Sequence, residues 1–133
     1  MSDTAFFKAL GTGRFMPTEA CVGPWSRDSL HGGPPIALLA RALRLHPGDP
    51  ALMLARITAE FLGPVPLAEC EVVVEVIRPG KRIELLRAEY RVQGRAVLSA
   101  QAWRLQKAPG SSPTVSAAFD PPPLPDRETT EFF

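Results

Sequence analysis

The sequence predicts an α+β fold in which one helix is covered by a long antiparallel sheet, and three observations carry that prediction. Only one stretch, Ile36 to Leu45, has apolar residues at helical spacing. Everything from Leu52 to Leu105 alternates with period two, in runs of about ten residues where strands usually have five or six. The helix also opens on Leu30-His31-Gly32-Gly33-Pro34-Pro35, where two glycines remove any Cβ and two prolines take helical positions whose N–H would be unpaired anyway. Strands of that length need a large cover on one face, and this helix is the only candidate.

The elements follow in order. Residues 5 to 25 alternate loosely through Phe7, Leu10, Phe15 and Met16, then Ala20, Val22 and Trp25. Gly11 and Gly13 interrupt them, and Pro17 separates two short strand-like pieces. Ile36, Leu39, Ala40 and Leu43 fall at i, i+3, i+4 and i+7, giving one apolar face that Leu38, Ala42 and Leu45 widen. His46-Pro47-Gly48-Asp49-Pro50 ends the helix, because proline neither continues it nor tolerates a helical residue before it. From Leu52 the set Leu54, Arg56, Thr58 and Glu60 opposes Ala55, Ile57, Ala59 and Phe61. Glu69 to Ile77, Arg82 to Val92 and Arg95 to Leu105 are three further strands. Arg78-Pro79-Gly80-Lys81 turns between the first two, and Gln93-Gly94 is a hairpin signal between the last two.

Composition narrows the function classes. The chain has 133 residues, one domain's worth, with 45% hydrophobic and 22% charged residues and a net charge of +1. Its basic residues are scattered, which argues against nucleic acid as a partner. No apolar run approaches a membrane span, and no basic segment followed by an apolar run marks a secretory leader. Cys21 and Cys70 fit neither a disulfide framework nor a metal-ligand spacing. Cytoplasmic location with two free thiols, no metal, no cofactor and no membrane partner is the expectation. From Pro109 to Pro125 there are six prolines, which reads as an extended linker or arm.

One helix wrapped by a long antiparallel sheet, with a glycine pair at its start, resembles the hotdog fold of acyl-CoA thioesterases and dehydratases. Gly23-Pro24-Trp25, Leu30 to Pro35 and Ala37 to Ala42 are similar to the thioesterase-like branch related to acyl-CoA thioesterase II. Arg56 to Pro66, Arg78 to Arg82, Gly94-Arg95 and Ala102 to Leu105 continue the likeness, which covers about residues 5 to 107. The resemblance implies a hotdog domain at 1–107 and a proline-rich linker or arm at 108–133. Members of that branch carry two hotdog repeats, and this chain resembles the first. An exposed sheet edge implies a homodimer, or pairing with a second repeat.

The implied activity is hydrolysis or binding of acyl-CoA thioesters. A backbone N–H at Gly32-Gly33 would hold the thioester carbonyl and stabilise the oxyanion as water attacks; the plainer reading is a glycine turn beside a packed neighbour. His31 is either a catalytic group, since histidine exchanges protons near neutral pH, or a structural cap. The resemblance implies that Arg78, Lys81 and Arg82 lie near CoA phosphates, whose recognition suits such side chains, against a solvated hairpin turn. Trp25, with Trp103, is either a wall of the acyl pocket or a core or interface residue. The general base is the departure from the family pattern. The hydrolytic Asp, Thr or Ser, and Gln of acyl-CoA thioesterase II belong to the second repeat. Single-repeat thioesterases with His-Gly-Gly carry an acidic residue further along the helix, where this chain has Leu39-Ala40-Arg41. Asp28 and Glu60 are the nearest substitutes, and nothing obvious activates Cys21 as a nucleophile. A non-catalytic acyl-thioester binding or assembly module is therefore the alternative. A hydratase is disfavoured, because the paired Asp and His those enzymes use are missing at their spacing.

Overall fold

A computed structural model describes residues 5–107 and the single positions 110, 122 and 123. The expected arm at 108–133 otherwise lies outside the described residues. One helix, α1 (Gly33–Leu45), packs on a six-stranded sheet of β1 (Phe7–Gly11), β2 (Arg14–Pro17), β3 (Leu52–Phe61), β4 (Cys70–Arg78), β5 (Ile83–Val92) and β6 (Arg95–Gln106). The strand order is β1-β2-β4-β5-β6-β3, with every pair antiparallel. This is the expected α+β hotdog architecture.

The inner sheet face explains how the helix sits so close. Ala59, Ala100 and Ala88 lie opposite one another across β3, β6 and β5, and Ala102 lies one inner position along. These small side chains leave room for Leu38, Leu39 and Leu43 of α1, which are buried with Leu86, Tyr90 and Leu98. Burial of these apolar groups is the main stabilising contribution. Hairpin β5–β6 turns on Gln93 (φ 50) and Gly94 (φ 78), two positive φ values in a two-residue loop, as the Gln-Gly signal predicts.

Two local expectations are corrected. Pro17 ends the second of the two short N-terminal strands, and a 3-10 turn, Glu19–Cys21, follows it where a second strand-like piece is expected. A tight turn at Thr12 and Gly13, both with positive φ, provides the break instead. In β3, Leu54 packs against the core rather than lying with Arg56, Thr58 and Glu60. The reason is a bulge: Leu54 pairs with Arg104 and Arg56 with Trp103, so Ala55 is an extra residue that shifts the alternation.

Candidate functional site

The start of α1 is held in place by the backbone on both sides. Leu30 donates its N–H to Val65 O at 2.8 Å, and His31 donates to Cys21 O at 2.9 Å. Isolated bridges Val22–Leu30 and Ser29–Pro66 flank them. The chain therefore enters the helix along a fixed line, and Gly32 takes the N-cap position without a side-chain cap.

The sequence predicts a cluster of free donors there, and the structure qualifies it. Pro34 and Pro35 contribute none. Ile36 donates to Gly32 O at 3.3 Å. Gly33 donates its N–H to His31 Nδ1 at 3.3 Å, so the imidazole caps the amide expected to hold a carbonyl. With Nδ1 accepting, the neutral ring carries its proton on Nε2. Gly32 N–H has no partner among the described residues. The helix start thus leaves one amide without a partner among the described residues, a second capped by the His31 ring, and the positive end of the dipole.

A side chain at either glycine would press on the tip of a neighbouring ring. A Cβ on Gly32 would stand 2.9 Å from Phe61 Cζ, and one on Gly33 would stand 3.0 Å from His31 Cε1. The neighbours of the packed-turn reading are thus Phe61 and His31. Phe61, at the end of β3 and 49% exposed, is the site residue that sequence reasoning missed. Nothing in the alternation of β3 marks it as the ring that covers Gly32.

The other expected residues are placed apart. Trp25 is 87% exposed in the loop before the helix, so within one chain it is no core residue. Trp103 is half-buried on β6. Asp28 lies in the same loop as Trp25, and its carbonyl accepts from Leu67 N–H at 2.9 Å. Glu60 projects from the outer sheet face with Arg56 and Thr58, beside Ser99 and Gln101. In its own chain it is across the sheet from the helix. Arg78, Lys81 and Arg82 are exposed at the far end of the sheet. Phe61, Leu98 and Tyr90 form the row near Gly32, and β5 runs seven residues from Tyr90 back to Ile83, about 23 Å.

Near the helix start lie three buried acids. Burial pushes the Cys21 and Cys70 thiols above their ordinary value, and burial pushes the Tyr90 hydroxyl up as well. Tyr90 Oη makes no hydrogen bond of good geometry, although the Cys70 thiol lies beside it. A raised thiol is a poor nucleophile, which agrees with the structural reading of Cys21. No group of His, Cys, Asp and Glu among the described residues could hold a metal ion, and no described helix is long and apolar enough to cross a membrane.

A helix of this kind, set into an antiparallel sheet with its glycine start against the edge strand, places the molecule in the hotdog thioesterase-like superfamily. Residues 22–105 match the family described as the acyl-CoA thioesterase N-terminal domain, and the chain belongs to that family. No curated protein matches it by sequence. Among solved structures it is similar to a candidate thioesterase II from Thermobifida fusca, with a TM-score of 0.66 and 15% identity over 92% of this chain and 44% of that one. A hotdog-fold protein of unknown function from Alicyclobacillus acidocaldarius gives 0.64 and 18% over 88% and 43%. A Bacillus halodurans protein solved with CoA gives 0.57 and 16% over 69% and 68%. The chain spans less than half the length of the first two, and the likeness to all three is one of fold.

Proposed function

We propose that this chain binds acyl-CoA thioesters in the cytoplasm and takes part in their hydrolysis. The thioester carbonyl is held at the Gly32-Gly33 helix start, between two hotdog units. The family match over residues 22–105 carries this reading, and the open amide at Gly32 supports it. The carbonyl oxygen accepts from Gly32 N–H, and from Gly33 N–H once the His31 ring swings away, while the dipole stabilises charge that develops on it.

The second unit pairs on β3, a ten-residue strand that is an edge of the sheet among the described residues. Ile57 and Phe61 are 37% and 49% exposed beside it, and such edges recruit another strand. A second copy arriving antiparallel brings its own Arg78–Arg82 turn to the end of the sheet where Gly32-Gly33 lie. This reverses the separation within one chain and puts cations within range of CoA phosphates. Light scattering should report a dimer, and Ile57→Lys should shift it to monomer; a monomeric native chain would remove this part of the reading.

The test of activity is to follow free CoA by chromatography after incubation with acyl-CoAs of graded length. Removing one oxyanion donor by Gly33→Pro should lower release by roughly a hundredfold, with circular dichroism showing the fold retained. Release unaffected by that change would sink the assignment of the site. A second reading, a non-catalytic acyl-thioester binding module, is favoured by Arg41 standing on α1 and by Glu60 projecting from the opposite sheet face. Binding without release would decide for it.

A further inference from the structure

A groove of about 390 Å³ runs along the other flank of α1, between the helix and the β1–β2 hairpin. On the helix its wall is Pro34, Ala37, Leu38 and Arg41, which are spaced i, i+3, i+4 and i+7 and so form one stripe. On the hairpin its wall is aromatic, with Phe7 and Phe15 facing the helix. Phe7 is fixed in turn by an edge-to-face contact with Tyr90, ring centroids 6.4 Å apart. The volume falls in the range of small-ligand sites, and apolar walls with one placed charge are their usual composition.

Among the described residues the single charge lining the groove is Arg41, and no carboxylate lines it. Ion pairs among the described residues engage Arg14, Arg87, Arg91 and Arg104 and leave Arg41 unpaired. The stripe from Pro34 to Arg41 covers seven residues, a rise of roughly 10 Å. Given C–C bonds of about 1.5 Å set in a zigzag, an extended chain of roughly eight carbons spans it.

We propose that this groove binds a medium-chain fatty acid as its free carboxylate, with the alkyl chain between the aromatic wall and the Pro34–Leu38 stripe and the Arg41 guanidinium on the carboxylate. A guanidinium pairs with a carboxylate through two parallel N–H donors, so the acid is favoured over any neutral molecule of the same shape. A thioester presents no anion at that end of the chain. The site therefore distinguishes the acid from the thioester, and reactions that hydrolyse thioesters are the class that supplies its ligand. The inference holds whether or not this chain performs that hydrolysis.

Calorimetric titration with decanoate tests it, with decanol as the neutral control. Decanoate should bind more tightly than decanol by roughly ten- to a hundredfold, the worth of a charge-assisted hydrogen bond. Arg41→Gln should erase that preference while leaving decanol binding in place. Ala37→Phe, which fills the groove from an exposed helix position, should abolish binding of both with the melting temperature retained. Gly33→Pro should leave the decanoate response intact, which separates this groove from the helix-start site. Equal binding of decanoate and decanol, a preference that survives Arg41→Gln, binding that survives Ala37→Phe, or no binding at all would each overturn the proposal.

Discussion

The two ends of α1 are built on opposite plans. At its C-terminal end a buried side chain covers the carbonyls of the C-cap His46 and of Pro47 after it. Arg104 donates from Nη1 to His46 O at 3.0 Å and from Nη2 to Pro47 O at 3.4 Å, and its Nε donates to Glu84 at 2.7 Å. Arg104 and Glu84 are 4% and 8% exposed. Gly48 makes room, since a Cβ there would collide with the guanidinium. At the N-terminal end no side chain of the N-cap residue closes anything, two prolines remove donors, and a single imidazole covers one amide. The contrast shows where a fold invests in satisfied polar groups and where it leaves them available. The sealed end anchors the helix to β5 and β6, and the open end is the one positioned for a ligand.

The sharpest way to break this contrast is at the sealed end. Arg104→Leu leaves Glu84 buried without a counter-charge and should cost about 3–5 kcal/mol in urea denaturation. Adding Glu84→Leu should recover most of that loss, because the uncompensated charge is then gone. A single variant as stable as the native chain would show that the pair is not buried as described.

The next effect comes from pH and falls on the open end. Cys21, Cys70 and Tyr90 lie near it, and burial raises all three in the folded state. A raised acid contributes its stability fully below its unfolded value and loses it as pH climbs towards the folded one. The thiols start from 9.0 and the phenol from 10.0, so stability should hold below about pH 9 and decline above it. The slope should reach about 1.4 kcal/mol per pH unit for each group that stays protonated. Urea midpoints measured from pH 8 to 10.5 check this, and a flat profile would contradict it.

Smaller changes probe the open end directly. His31→Ala uncaps the Gly33 amide and should cost about 1 kcal/mol, the worth of a helix cap, measured by thermal melting. If the ring did not cap that amide, the loss would be close to zero. Tyr90→Phe should be neutral or stabilising by up to about 1 kcal/mol at pH 7, since it deletes a buried hydroxyl without a good partner. It should also flatten the alkaline decline. A clear destabilisation would mean that the Cys70 thiol satisfies the hydroxyl after all.

Much of this architecture is legible in the residues alone. The glycine–proline start, the helical spacing from Ile36 and the proline stop give α1 to within three residues at its start, Gly33 against Ile36. The four long strands follow from alternation and from turns such as Gln93-Gly94, because local backbone chemistry sets those features. What local chemistry does not set is harder to read. The Ala55 bulge depends on how β3 meets β6 across 50 residues of sequence, from Leu54 to its partner Arg104. The Arg104–Glu84 pair looks like one more polar step in two alternating strands, and only the helix end above it makes burial worthwhile. The same holds for the site. Gly32, Gly33 and His31 stand together as expected, whereas the Phe61 ring over Gly32 and the Arg41 groove arise from packing between distant segments.

The bulge also has a consequence for how the gene can change. Along most of β3, losing one codon would turn Arg56, Thr58 and Glu60 inward and put Ile57 and Ala59 in solvent. Ala55 is the exception: without it Leu54 would still face Arg104 and Arg56 would still face Trp103. It is a position where an in-frame deletion conserves inside and outside. Length variation among relatives of this strand should therefore collect at that one place.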